Sequence, residues 1–124
     1  MERLLEHSEE SRAETTESEI MDDETTAFAA TLFAALGSAP RLHIVRALAD
    51  REMTVGEIAQ SVRLSQPNVS QHLAVLIRAG VLTVRSAGAI HCHSLRGPRI
   101  AKILALVNEF RQIHAPVLHT NEGE

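Results

Sequence analysis

Between Thr54 and Leu95 the apolar residues change period once, and that change confines the fold. Up to Gly80 they recur at helical spacing, and beyond it they alternate. In TVGEIAQSV, Thr54 and Glu57 stand three apart, as a capping box requires, so a short helix starts there. Arg63 and Leu64 make a brief turn. Ser65 is the next cap, and QPNVSQHLAVLIRAG predicts a second helix that ends at Gly80. VLTVRS and IHCHSL are β-rich and flank Ala87-Gly88-Ala89, a turn-forming triplet, so they predict a hairpin.

The flanks add helices of the same kind. In TAFAATLFAALG, Phe28, Leu32 and Leu36 recur four apart with Phe33 beside them, and Gly37 stands where a helix ends. Ser38 then caps RLHIVRALAD, with Pro40 tolerated in its first turn and Leu42, Ile44, Val45 and Leu48 on the inner side. From Pro98, IAKILALVNEF is a long amphipathic helix with Ile100, Ile103, Leu104, Val107 and Phe110 on one side. The expected class is mainly α (α+β): a winged helix-turn-helix of four helices, a two-stranded β wing and a C-terminal dimerisation helix. Residues 25–119 form this domain, preceded by an acidic tail over 1–24 and followed by a polar tail over 120–124.

The acidic tail has too little apolar surface to offset the entropy of ordering, so it is expected to be disordered. It also hides the character of the body. The whole chain carries −4, but residues 1–24 hold ten acids against Arg3 and Arg12, or −8. Residues 25–119 hold ten bases against Asp50, Glu52, Glu57 and Glu109, or +6, and Glu122 with Glu124 adds −2. A basic body suits a polyanionic partner. Whether translation starts at Met1 or Met21 stays open.

Other classes fall away. No apolar run approaches the roughly 18–20 residues that span a bilayer, and the acidic start is wrong for a targeting peptide. The single Cys92 forms no internal disulfide, which suits a reducing cytoplasm. Trp and Tyr are absent, so stacking platforms for single strands are not expected. No nucleophile–base pair is distinguishable, so an enzyme is not expected either.

The helix from Ser65 to Gly80 is where function is expected. Val69, Leu73, Leu76 and Ile77 repeat at core spacing and anchor it. Ser65, Gln66, Asn68, Ser70, Gln71 and His72 are left at its start, a neutral hydrogen-bonding set. Asn and Gln pair with adenine edges, Ser serves base or phosphate, and a recognition helix enters the major groove N-terminus first. Arg85 and Ser86, expected at the tip of the hairpin, are candidates for the DNA backbone or minor groove. The competing reading of this polar face is ordinary solvation.

Two runs carry a resemblance: LG-x-x-x-R-L-x-I-V-x-A-L from Leu36, and L-S-Q-P-N-V-S-Q-H-L-x-V-L-x-x-A-G-V-L from Leu64. Across roughly residues 30–110 the chain resembles the ArsR/SmtB family of winged-helix repressors. The resemblance implies a homodimer built on the first and last helices, double-stranded DNA with an imperfect palindrome as partner, and repression relieved by an effector. Phe28, Leu32, Phe33, Ile100, Ile103, Leu104, Val107 and Phe110 are the candidate interface. Independently, these two helices carry more apolar surface than a small core can cover. The alternative is that they pack on each other within one chain.

Family metal sites are missing by alignment. TVGEIAQSV has no cysteine where thiolate sensors carry theirs, and Gly97, Arg99, Phe110 and Ile113 stand at the interhelical zinc positions. No cofactor is therefore expected, and the effector is unidentified. The remaining candidate ligands are His91 and His93, which alternation puts on one strand face with Cys92 on the other, together with His114 and His119. Two other readings stay beside the repressor: a winged-helix protein-interaction module with the acidic tail as its arm, and a metal sensor with an unusual His/Cys site.

Overall fold

A computed structural model of the protein describes residues 21–122, with side chains as far as His114. The expected disorder of residues 1–20 thus lies outside the described residues. Helix α1 (Asp23–Leu36) is followed by α2 (Ala39–Ala47), β1 (Met53–Thr54), α3 (Val55–Val62) and α4 (Gln66–Arg78). Strands β2 (Leu82–Ala87) and β3 (Ile90–Leu95) and helix α5 (Pro98–Glu122) complete the chain. Contacts divide it into two units, residues up to Ala34 and Ala35–Glu124.

In the first unit, α1 begins inside the stretch assigned to the acidic tail. The Asp22 carboxylate accepts a hydrogen bond from Thr25 N at 2.7 Å, which caps the helix and holds that carboxyl below its usual value. Asp23 and Glu24 fill the first turn, where the helix dipole favours negative charge. At the other end of the chain, α5 runs on through the polar residues 120–122, because helical hydrogen bonds are local and need no apolar face.

In the second unit, hydroxyl caps set where the helices start. Ser38 Oγ accepts from Arg41 N at 3.3 Å, and Ser65 Oγ from Asn68 N at 3.3 Å. Thr54 and Glu57 form a complete capping box at α3, with bonds of 3.2 and 2.9 Å. Arg63 ends α3 at φ 62°, ψ 46°, a left-handed conformation that normally favours glycine. This residue makes the turn of the helix-turn-helix.

The core lies where α2, α3 and α4 meet the base of the hairpin. Ile44, Val45, Ile58, Val69, Leu76, Val81 and Leu82 are its fully buried side chains. Leu42 and Ile77, both expected inside, are 37% and 36% exposed. At about 100° per residue each stands at the edge of its helix's apolar arc, beyond the reach of the core.

The sheet is three-stranded and antiparallel in the order β1-β3-β2, where the sequence predicts two strands. Met53 pairs with His93 and Thr54 with Cys92. Two residues are too few for alternation to show, so this strand left no periodic signal. The pairs Leu82–Leu95, Val84–His93 and Ser86–His91 share one face of the hairpin, and Thr83–Ser94, Arg85–Cys92 and Ala87–Ile90 the other.

Two substitutions test the local geometry in urea unfolding at unchanged m-value. Arg63→Gly should stabilise by about 1 kcal/mol, because glycine adopts the left-handed turn without a Cβ penalty. Thr54→Ala should destabilise by about 1 kcal/mol through loss of the capping box.

Candidate nucleic-acid interface

Burial of Val69, Leu73 and Leu76 anchors α4 on one side. On the other, Gln66, Asn68, Ser70 and Gln71 are exposed. No acidic residue stands in the first turn of α4, where Pro67 has no N–H and the Asn68 and Val69 N–H groups donate to Ser65, which leaves the Gln66 N–H for a partner. Ser65 is exposed too, but its hydroxyl already caps the helix. Gln66 lies back toward the start of α3, where a Cβ at residue 56 would stand 3.4 Å from its Nε2, an ordinary van der Waals contact.

His72 departs from this outward set. It is half-buried, and its Nδ1 lies 3.3 Å from Nη1 of Arg41, whose Nε donates to the Ala35 carbonyl. The imidazole therefore ties α4 to α2. The sequence reading placed it on the outer face because position alone does not show a partner 31 residues away.

Arg85 and Ser86 stand on β2 short of the hairpin tip, which is formed by Gly88 at φ 65° and Ala89. Arg85 is paired with Glu52: its Nη2 meets Oε1 in a close ion pair, and its Nε donates to Oε2 at 3.4 Å. This contact holds the Glu52 carboxyl below its ordinary value and raises the guanidinium. Both groups stay exposed, so the pair leaves the cation within reach of a partner. Sequence reasoning missed Glu52, because its proximity depends on the unforeseen strand β1. Ser86 Oγ lies 3.0 Å from His91 Nδ1, its partner across the hairpin.

The histidine candidates divide. His91 and His93 share a strand face and Cys92 takes the other, yet among the described residues no third ligand joins them. His114 packs its ring against Phe110, with centroids 4.3 Å apart, and the His119 side chain lies outside the described residues. His93 is 8% exposed, and its Nδ1 is buried without a hydrogen-bond partner.

Among the interface candidates, Phe28 and Phe33 on α1 are 62% and 60% exposed, and Leu32 is half-buried. On α5, Ile100, Ile103 and Leu104 are half-buried while Val107 and Phe110 are exposed. Leu106 and Ile113, which the sequence reading omitted, are exposed as well.

Residues 39–84 match the family model for bacterial regulatory proteins of the arsR family. The chain is 39% identical over 90 residues to the HTH-type transcriptional regulator Rv0081 of Mycobacterium tuberculosis, covering 72% of this chain and 76% of that one. The chain belongs to the ArsR family. The crystal structure of Rv0081 aligns with a TM-score of 0.65 at 35% identity, over 77% of this chain and 94% of its own. Reduced HlyU from Vibrio cholerae, a transcriptional activator, aligns with a TM-score of 0.63 at 31% identity, over 71% and 93%. A winged helix-turn-helix DNA-binding domain from Mycobacterium bovis, homodimeric in solution, gives 0.68 at 26% identity, over 77% and 91%.

This ArsR-family chain is therefore a winged helix-turn-helix transcriptional regulator. Among its described residues no single helix is long and apolar enough to cross a membrane.

The buried His93 gives this regulator a pH signature. Burial pushes its imidazole below the ordinary 6.5, outweighing a hydrogen bond to the Met53 backbone that acts the other way. As pH falls through that value the unfolded chain takes up the proton first. The stability tied to neutral His93 is thus present above 6.5 and lost as pH falls toward the folded pKa. Urea midpoints between about pH 7.5 and 5.5 should fall more steeply for the wild type than for His93→Phe. Equal slopes would place the imidazole in solvent.

Proposed function

We propose that two copies of the chain bind an imperfectly palindromic stretch of double-stranded DNA near the genes they control, in the cytoplasm, and that occupancy represses transcription until an effector releases it. The observation that carries this reading is α4: anchored by Val69, Leu73 and Leu76, it turns Gln66, Asn68, Ser70 and Gln71 outward from an end free of acids. In the proposed complex the amides read base edges, Ser65 and Ser70 meet phosphate or base, and Arg85 with Ser86 meets the backbone beside the groove. His72 acts by holding α4 to α2.

Dimerisation is supported by apolar exposure on each terminal helix. Phe28 and Phe33 on α1, and Leu106, Val107, Phe110 and Ile113 on α5, are at least 58% exposed. Such side chains in number mark an interface. The homodimeric M. bovis relative supports the same arrangement.

Fluorescence anisotropy with the DNA upstream of its own gene tests the reading. Gln66→Ala and Ser70→Ala should each weaken operator binding by about 1–3 kcal/mol and leave the dimer intact. Unchanged affinity in both would displace the recognition helix from α4. Arg85→Ala should weaken all sequences alike and lower the salt slope by about one, whereas Glu52→Gln, which removes the competing carboxylate, should strengthen binding.

A further inference from the structure

Arg41 holds the start of α2 to α4. Its backbone N–H donates to the Ser38 cap, and its guanidinium donates from Nε to the Ala35 carbonyl. From that fixed base Nη1 lies 3.3 Å from His72 Nδ1, and both side chains are half-buried. A guanidinium carries five N–H donors, no acceptor, and a charge it keeps at every working pH. Nδ1 must therefore accept, which puts the proton of the neutral imidazole on Nε2. A second proton would set an Nδ1–H against an Nη1–H and bring two cations together.

Nothing else offers to offset that charge. The elements packed against α4 are α2, α3 and β2. Besides Arg41 their charged and titratable groups are His43 and Arg46 on α2, Glu57 on α3 and Arg85 on β2, with Arg78 on α4 itself. Glu57 is engaged by Thr54 and Arg51, and Arg85 by Glu52, so among the described residues no carboxylate meets His72.

The apolar core leaves this bond a task. Burial of Val69, Leu73 and Leu76 presses one side of α4 inward, but apolar contact is non-directional, whereas a hydrogen bond is directional. His72 stands one turn beyond Asn68, so the bond fixes the rotation of the turns that present the exposed amides. Reading base edges demands that placement, while contacts with phosphate tolerate its loss.

We infer that Arg41 is a positioning residue for operator recognition: it holds α4 through a neutral His72, and protonation of that imidazole releases the hold and lowers the preference for operator over other DNA. The inference rests on α4 being the recognition helix. Its sign opposes ordinary electrostatics, by which added positive charge tightens binding to any DNA.

Anisotropy with the full chain compares the DNA upstream of its own gene with an unrelated duplex of equal length, at about pH 7.5 and 5.5, across which histidines take up a proton. In the wild type the preference for the upstream DNA should fall about tenfold on acidification, the worth of one hydrogen bond. His72→Asn keeps an acceptor at the place of Nδ1 and does not titrate, so its preference should change by less than about twofold. Arg41→Met keeps the stem and loses the donors, so its preference should be about tenfold low at both pH values. The remaining histidines are common to all three proteins and cancel in the comparison. A constant preference in the wild type, an equal fall in His72→Asn, or full preference at pH 7.5 in Arg41→Met would overturn the inference. If Arg41→Met does not fold, the wild type against His72→Asn decides.

NMR of the ring nitrogens in the free protein reads the bond without DNA. At about pH 7.5 the His72 ring should carry its proton on Nε2, with an Nδ1 signal that moves in Arg41→Met. A proton on Nδ1 would overturn the hold itself. Failure of the wild type to prefer the upstream DNA at either pH would overturn the reading of α4, while the ring nitrogens still decide the bond.

Discussion

The burial of Val69, Leu73 and Leu76 fixes which side of α4 meets solvent, and everything functional depends on that orientation. These three residues lock α4 against α2 and α3 through the same core that holds Ile44, Val45 and Ile58. A rotation of one residue would turn Gln66 and Ser70 aside and carry apolar groups into water. Removing the Leu76 side chain at full burial would cost about 2–5 kcal/mol, a large share of the stability of a domain this size. The left-handed turn at Arg63 and the caps at Thr54 and Ser65 make the approach to α4 short and stiff. They aim the helix that burial anchors.

The hairpin is joined to this frame at its base and at one side. Leu82 is buried in the core, Met53 and Thr54 extend the sheet, and Glu52 pairs with Arg85 across it. The outer half carries polar and exposed groups, so the wing is held firmly at one end and freely at the other. His93 packs beside β1, with its Nδ1 buried and without a hydrogen-bond partner.

Most of the fold was legible because its signals are local. Thr54 with Glu57, Ser38 and Ser65 each satisfy backbone groups within three residues, and the change of period at Gly80 marks where helices give way to strands. Strand β1 was not legible, since two residues carry no period. Glu52 and the true setting of Arg85 went with it. His72 looked like a surface residue because its partner, Arg41, is 31 positions away. Leu42 and Ile77 were misplaced for a different reason: an apolar side chain at the edge of a helical stripe reads like one at its centre. The exposure of Gln66, Asn68, Ser70 and Gln71 on α4 was legible, as it follows from core spacing.

In the proposed complex a symmetric pair of α4 helices meets DNA on one face. Hydroxyl-radical footprinting of the complex formed with the DNA upstream of its own gene tests it most directly. Two protected patches on one face of the duplex, related by a dyad and about one helical turn apart, roughly 10 base pairs, are expected. A single unpaired patch, or uniform protection without a dyad at low salt, would contradict it.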